Sequence, residues 1–374
     1  MLGRLSTLRG KSVSISSRNA DKILLVETWD THLYAQPFYD RLRELGVEVL
    51  RFEERRYFEG SLLRSGWLRA QNKFRFGPAV QRLNRELLER VHAERPGVVF
   101  VFRGGHIFPE TIIAMKRLGA WVIAWHNDDP LSPRVPPYVW RNFVKAIPLY
   151  DRLFAYRLSN VEEFRARGCS RVELLRSNYL RELNHPVGDE ALEKSAYRCE
   201  VAFIGHWEDD GREQLVGALA AEPNLDFRLW GTLWDRASNA AVLRRRFGPI
   251  KPIYGDYNLA LASAGIALVF LSKLNRDTYT RRCFEIPAAG TFMLAEHSDD
   301  LASLFKEGVE AEFFRSQEEL LEKVRRYTAN PEARKRIAEA GRERLLRDGH
   351  EALDRARQVL TRLREDLAGP ERSP

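Results

Sequence analysis

Little in this chain could cross-link it, and no stretch of it could carry it through a bilayer as a helix. Only 3 of its 374 residues are cysteine. Cys169, Cys199 and Cys283 are odd in number and far apart, with none of the spacings that hold zinc or build a disulfide framework. Reduced, buried thiols in a cytoplasmic protein are expected. No uninterrupted apolar run approaches the roughly 20 residues that a membrane-spanning helix needs. Residues 1–20 are rich in Ser and Arg but lack the apolar core of a secretory signal, so they read as a disordered basic tail. The first strand, Lys22–Glu27 (KILLVE), is followed by a polar loop, TWDTH. That loop lacks the glycine fingerprint with which a dinucleotide fold grips pyrophosphate.

What is present points to a soluble two-domain protein. The chain is 44% hydrophobic, 11% aromatic and 30% charged, enough apolar material for two cores. Its net charge of +8 suits anionic ligands such as nucleotide diphosphates, acidic lipids or nucleic acid, without choosing among them. Short apolar runs alternate with helical periodicity throughout. In the first half the expected strands are 22–27, 47–52, 98–102, 121–125, 150–156 and 171–175. A polar linker at 187–198 follows, then expected strands at 199–204, 226–231, 253–255, 266–271 and 291–295. Strand–helix alternation of this kind predicts α/β architecture with two doubly wound, Rossmann-like sheets.

One stretch, Ile266–Glu296, organises the rest. An apolar strand leads into a loop holding Lys273, Arg276, Asp277, Arg281 and Arg282. A short helix-compatible piece containing Glu285 ends at Gly290 before the next strand. In open α/β sheets ligands bind at the carboxyl ends of strands, where this loop sits. Arg and Lys can grip a diphosphate, and a carboxylate can accept both hydroxyls of a ribose. A nucleotide-sugar carries both groups. The competing reading is a solvated charged loop with Glu285 capping a helix.

Other candidates sit at the carboxyl ends of other strands. His126, Asp128 and Asp129 lie in HNDDP after WVIAW and could activate an acceptor hydroxyl; Asn-Asp-Asp-Pro is also ordinary turn chemistry. Gly205 and His206 follow CEVAFI, where a glycine lets backbone approach a phosphate. Asp30 and His32 are weaker candidates in the first loop, and His106 follows a Gly-Gly pair after the third strand. The basic, aromatic run from Glu53 to Gly77 suits a snorkelling amphipathic edge, an acceptor- or membrane-facing patch, or nucleic acid. No set of residues has metal-ligand spacing.

The segment NRDTYTRRCFEIPAAGTFMLAE, followed by SDDLASLFKEGVEAEFF, resembles the donor-binding core of CgeB-like glycosyltransferases, within the GT-B enzymes of the glycosyltransferase group 1 type. The shared pattern is an acid, seven intervening residues, then a glutamate followed by small residues and glycine; here Asp277 and Glu285 hold the two acidic places. Some relatives have glutamate in the first place, so this chain is one methylene shorter there. The resemblance covers most of Val201–Arg357 well and the first half more loosely. It implies a GT-B fold, with two Rossmann-like domains facing across a cleft. Residues 21–190 would form the acceptor side and 191–349 the nucleotide-sugar domain, with the helix in 350–374 crossing back to the first. It implies that Glu285 binds the donor ribose and Asp277 faces the transferred sugar or its phosphate. Gly205 and His206 would contact the donor diphosphate or acceptor, and Lys273, Arg276, Arg281 and Arg282 would supply diphosphate contacts. The implied reaction is metal-independent glycosyl transfer, with retention favoured and the nucleotide-sugar as substrate rather than cofactor. The acceptor would be a surface polysaccharide, a lipid-linked glycan or a protein. Peripheral contact with anionic membrane at the inner face of the cytoplasmic membrane is compatible, and no nucleic acid is expected. Two alternatives stay open: a nucleotide-sugar epimerase of the same architecture, and a basic nucleic-acid-binding protein.

Overall fold

Residues 20–28, 33–59 and 66–368 are described by the computed structural model. They build two all-parallel sheets. The first contains β1 (Lys22–Glu27), β2 (Glu48–Glu53), β3 (Val98–Phe102), β4 (Trp121–His126), β5 (Arg152–Ala155) and β6 (Val172–Leu174), in the order β2-β1-β3-β4-β5-β6. The second contains β7 (Cys199–Ile204), β8 (Phe227–Trp230), β9 (Ala264–Val269), β10 (Met293–Glu296) and β11 (Glu312–Phe314), in the order β11-β10-β9-β7-β8. Central strands such as β3 and β4 are buried at every residue, as expected when helices cover both faces of a parallel sheet. The helix Pro78–Glu94 shows how one face is covered: Val80, Leu83, Leu87 and Val91 recur at helical spacing and join the core that holds Val99 and Val101.

The two sheets are wound alike. Each begins one strand in from an edge, steps out to that edge, and then reverses direction. The first reverses between β1 and β3, where Ile23 lies between Val49 and Val98. The second reverses between β7 and β9, where Val201 lies between Phe227 and Ile266. Loops leaving two adjacent strands toward opposite faces open a crevice at the strands' carboxyl ends. The molecule therefore has two such crevices.

The expected strand at 253–255 does not form. Pro252 lacks a ladder donor, Gly255 turns the chain at φ +78°, and Tyr254 stands 82% exposed. The polar linker contains one short helix, Asp189–Glu193.

A single apolar core joins the domains. It runs from Phe100, Phe102 and Trp125 through Tyr156, Tyr179 and Tyr279 to Phe284 and Phe313. Tyr156 and Tyr279 stack across the seam with centroids 4.7 Å apart, and the Tyr279 hydroxyl donates to the Tyr156 carbonyl at 2.6 Å. Such a stack adds about 1 kcal/mol beyond its burial. The last helix, Ala352–Ala368, belongs in sequence to the second domain but packs on the first. Asp366 accepts from Arg152, Arg362 and Gln358 reach Glu173, and Glu351 pairs with Arg41.

Candidate active site

The larger crevice is a cleft of about 1350 Å³ at the β7/β9 reversal, closed on its far side by the first domain. From the second domain it is lined by His206, Glu208, Arg212, Tyr254, Tyr257, Ser272, Asp277, Arg281, Arg282 and Glu285, among others. The first domain contributes Tyr34, Asp128 and Arg157. The loop after β9 and the short helix Arg282–Ala288 thus deliver the central charged group.

Within that group, Arg281 is the hub. Its Nε donates to Glu285 Oε1 at 2.5 Å, and its Nη1 reaches the Leu33 carbonyl across the cleft at 2.5 Å. Its Nη2 is buried and has no partner among the described residues. Arg281 lines the cleft, and an unpaired buried guanidinium donor costs desolvation energy that an anion bound there would offset. Glu285 is nearly buried, and its second oxygen accepts from the Tyr257 hydroxyl at 2.8 Å. Burial and the neighbouring carboxylate push the Tyr257 phenol far up, so it stays a donor. Glu285 is fixed from two sides and retains lone pairs for further donors.

Arg282 lies behind Arg281. Its Nε donates to the Ile204 carbonyl at 2.7 Å, and its guanidinium packs against Gly205. A Cβ on Gly205 would stand 2.9 Å from Arg282 Nη2 and 2.7 Å from the Phe203 ring, so this glycine makes room for the cation. His206 follows, and its Nε2–H donates to Glu208 at 2.7 Å. Glu208 also accepts from the Ser272 hydroxyl at 2.5 Å. Burial alone would raise the Glu208 carboxyl, but His206, Arg212 and Ser272 hold it down at about 2. Arg212 stitches the loop by donating to the His206 carbonyl and to Asp210.

Asp277 faces the cleft, where Arg157 donates to it from Nε at 2.8 Å. Burial pushes the Asp277 carboxyl up, to about 6, against the pull of that guanidinium. Asp128 is the first-domain acid on the cleft wall, 4.0 Å from Arg103.

Four candidates lie elsewhere. Lys273 pairs with Glu296 beside a separate small cavity. Arg276 and Asp129 pair with each other across the domain seam. Arg276 Nε meets Asp129 at 2.5 Å, and its two terminal nitrogens clasp Glu163 at 2.9 Å. Burial would raise the Asp129 carboxyl, yet Arg276, Asn160 and the Leu131 amide hold it below its usual range. His126 is fully buried between Trp140 and Phe143. Its Nδ1–H donates to the Asp128 carbonyl at 2.9 Å. Burial lowers its pKa to about 3, so the imidazole is neutral and supports the Asp128 turn. Asp30 and His32 fall outside the described residues.

Sequence reading missed Arg157, Glu208, Arg212, Tyr254 and Tyr257. Two of these were within reach. Arg157 follows the carboxyl end of β5, and Glu208 stands in the same loop as Gly205 and His206.

The second crevice, about 550 Å³, sits at the β1/β3 reversal. Thr28, Glu54, Asn72, Arg75, Arg103 and His106 line it, with Trp140 and others. His106 Nδ1–H donates to Glu54 at 2.7 Å, while Nε2 faces Asn72 at 2.9 Å and the Arg75 guanidinium. Arg103 belongs to this pocket and also stands beside Asp128, so the two cavities adjoin.

Residues 212–361 match the family model described as glycosyl transferase-like. No curated protein matches the chain by sequence. The fold is similar to that of Anabaena HepE, solved in complex with UDP. The TM-score is 0.65 and the identity 13%, over 92% of this chain and 100% of that one. It is also similar to sucrose-phosphate synthase from Thermosynechococcus elongatus, with TM-score 0.68 and 13% identity over 92% and 98%. A Listeria monocytogenes protein described as a UDP-N-acetylglucosamine 2-epimerase gives TM-score 0.57 and 12% identity over 94% and 98%. The architecture is GT-B: two Rossmann-like domains facing across a cleft. The family match, with this fold, supports a glycosyltransferase.

Proposed function

We propose that the protein transfers a sugar from a nucleotide-sugar donor to an acceptor hydroxyl, without a metal and with retention at the anomeric carbon. One observation carries this reading: Arg281, Arg282 and Glu285 converge on the cleft at the second domain's reversal point, with a buried Arg281 donor unpartnered among the described residues. Those groups match a diphosphate beside a ribose.

In this reading Glu285, steadied by Tyr257, accepts the ribose hydroxyls. Exposed Tyr254, on the cleft wall next to them, offers its ring to the base. Arg281 and Arg282 bind the diphosphate. As the bond from the anomeric carbon to the phosphate oxygen breaks, its electron pair stays on the diphosphate, and the two guanidiniums stabilise that growing charge. They fill the place a metal would otherwise take. The sugar lies toward Asp277 and Arg157. The acceptor oxygen bonds to the anomeric carbon, and its proton passes to the leaving phosphate or to Asp128. His206 and Glu208 fix the loop over the phosphates. The finer assignments, a CgeB-like member acting on a surface polysaccharide, lipid-linked glycan or protein, rest on the sequence resemblance.

Transfer is favoured over isomerisation by the adjoining first-domain cavity, which gives an acceptor somewhere to bind. The test is incubation with a panel of nucleotide-sugars, with and without added acceptor glycans, in chelator. Transfer requires sugar on the acceptor, or slow release of free sugar without one. An isomerised nucleotide-sugar formed without acceptor would replace this reading with the epimerase.

A further inference from the structure

The helix Gly66–Phe74 and the turn after it carry a surface that the cleft does not use. Its buried side is short: Leu68 and Gln71, one turn apart, face the domain. On the outward side Trp67 and Phe74 are seven residues apart, so they share one stripe with Ala70 between them. Trp67 is 65% exposed, Phe74 45% and Phe76 60%. Of the other exposed large apolar residues of the described chain, Leu33, Leu183, Leu233, Tyr254 and Leu274 line the cleft, and the rest are single exposures of an ordinary kind. Here three aromatics fall within ten residues of each other.

The charge around them has one sign. From Gly66 to Arg85 the sequence holds five Lys or Arg and no Asp or Glu. Arg75 turns inward to His106, and Arg82 is occupied by Glu86. Arg69 and Lys73 on the helix, and Arg141 beside it, are exposed and form no ion pair among the described residues. Lys73 lies 5.4 Å from the Phe74 ring centroid, and Arg141 Nη2 reaches the Phe74 carbonyl at 3.4 Å. The cations therefore border the aromatics closely.

We propose that this face docks on an anionic lipid surface, with the aromatic stripe entering the headgroup boundary and Arg69, Lys73 and Arg141 meeting lipid phosphates. An amphipathic helix with large apolar side chains and free cations binds in this way, by buried apolar area plus attraction to anionic headgroups. A nucleic acid fits less well. The centre of the patch is hydrocarbon, and phenylalanine presents no hydrogen-bonding group to a duplex edge. The inference stands apart from glycosyl transfer, although Asn72 on the same helix lines the first-domain cavity, which would place that cavity beside the bilayer.

The test is co-sedimentation of the full chain with vesicles of phosphatidylcholine alone or mixed equally with phosphatidylglycerol, at about 0.15 M salt. The proposal expects binding to the anionic vesicles only. Arg69→Glu with Lys73→Glu should weaken it about tenfold or more, each site being worth roughly 1 kcal/mol. Trp67→Ser with Phe76→Ser should weaken it at the same salt while leaving the melting temperature unchanged. Absence of wild-type binding to anionic vesicles overturns the proposal, as does equal binding by both variants. Salt-sensitive binding to duplex DNA, lost in the charge variant, with no vesicle binding, would make this a nucleic-acid face. None of these outcomes depends on donor binding, so the transfer reading stands or falls separately.

Discussion

The two reversal points of this molecule share one topology and differ in what they hold. At β7/β9 the cavity is large, and its guanidiniums converge on the cleft with one buried donor unpartnered among the described residues. At β1/β3 the cavity is smaller; His106, Glu54, Asn72 and Arg75 are linked to one another, and Glu54 Oε1 and Arg75 Nε are buried without a partner among the described residues. Topology thus supplies two equivalent crevices, and the side chains of the loops decide which suits a strongly anionic ligand. A crevice on which Arg281 and Arg282 converge is suited to a diphosphate. The other crevice sets Glu54 and Glu59 beside Arg55, Arg75 and Arg103, with Thr28 and Asn72 as side chains that can meet hydroxyls.

Four experiments test that contrast, in decreasing order of expected effect. Arg281→Ala should lower kcat/KM roughly a thousandfold, the scale seen when a charge-stabilising donor is removed, while acceptor KM changes little. Equal damage to donor and acceptor steps would erase the distinction between the crevices. Glu285→Gln keeps shape but loses the charge that ribose hydroxyls donate to. Donor Kd measured by calorimetry should rise roughly tenfold to a hundredfold, since a hydrogen bond to a charged group contributes about 1.5–3 kcal/mol. Arg276→Ala separates binding from bracing. Asp129 is fully buried and would lose its cation. Arg276 itself is 35% exposed, so solvent screening limits the cost. Urea unfolding should show a loss of about 2 kcal/mol, with donor Kd unchanged. In the first domain, Asn72→Ala should raise acceptor KM about fivefold, roughly the worth of one neutral hydrogen bond, and leave donor Kd alone.

A pH measurement sharpens the account of Asp277. Burial raises its folded carboxyl to about 6, above the roughly 3.9 of an unfolded aspartate. The folded state therefore holds the proton more tightly between those values. Relative to Asp277→Asn, the wild type should lose stability as pH rises from about 4 to 6 and then level off. A nearly flat profile over that window, with a relative gain as pH rises toward about 4, would mean that Arg157 dominates and the carboxyl lies low.

Much of the fold was legible because buried parallel strands appear as uninterrupted apolar runs, and the glycine stops between them mark helix ends. The expected strand at Ile253–Gly255 failed because Pro252 and the left-handed Gly255 outweigh the two permissive residues between them. At the site, local sequence identified the loops but not the direction of each side chain. Arg276 and Arg281 stand five residues apart in one loop. Arg281 enters the cleft, while Arg276 is drawn to the seam by Asp129 and Glu163, which lie more than a hundred residues away in the chain. His126 and Asp129 show the same limit, since their neighbours Trp140, Phe143 and Asn160 are assembled by packing. The position of Arg157 after β5 pointed to the cleft, but its partner became visible only through its contact with Asp277.

The most direct test of the central claim is calorimetric titration of the wild type and the Glu285→Gln variant with uridine, guanosine and adenosine diphosphates and their sugar conjugates, in chelator. The account predicts that the wild type binds the diphosphate of one base, more tightly than the matching monophosphate, and that the variant binds it at least tenfold more weakly. A folded wild type that binds none of them, or a variant that binds as tightly as the wild type, would contradict it.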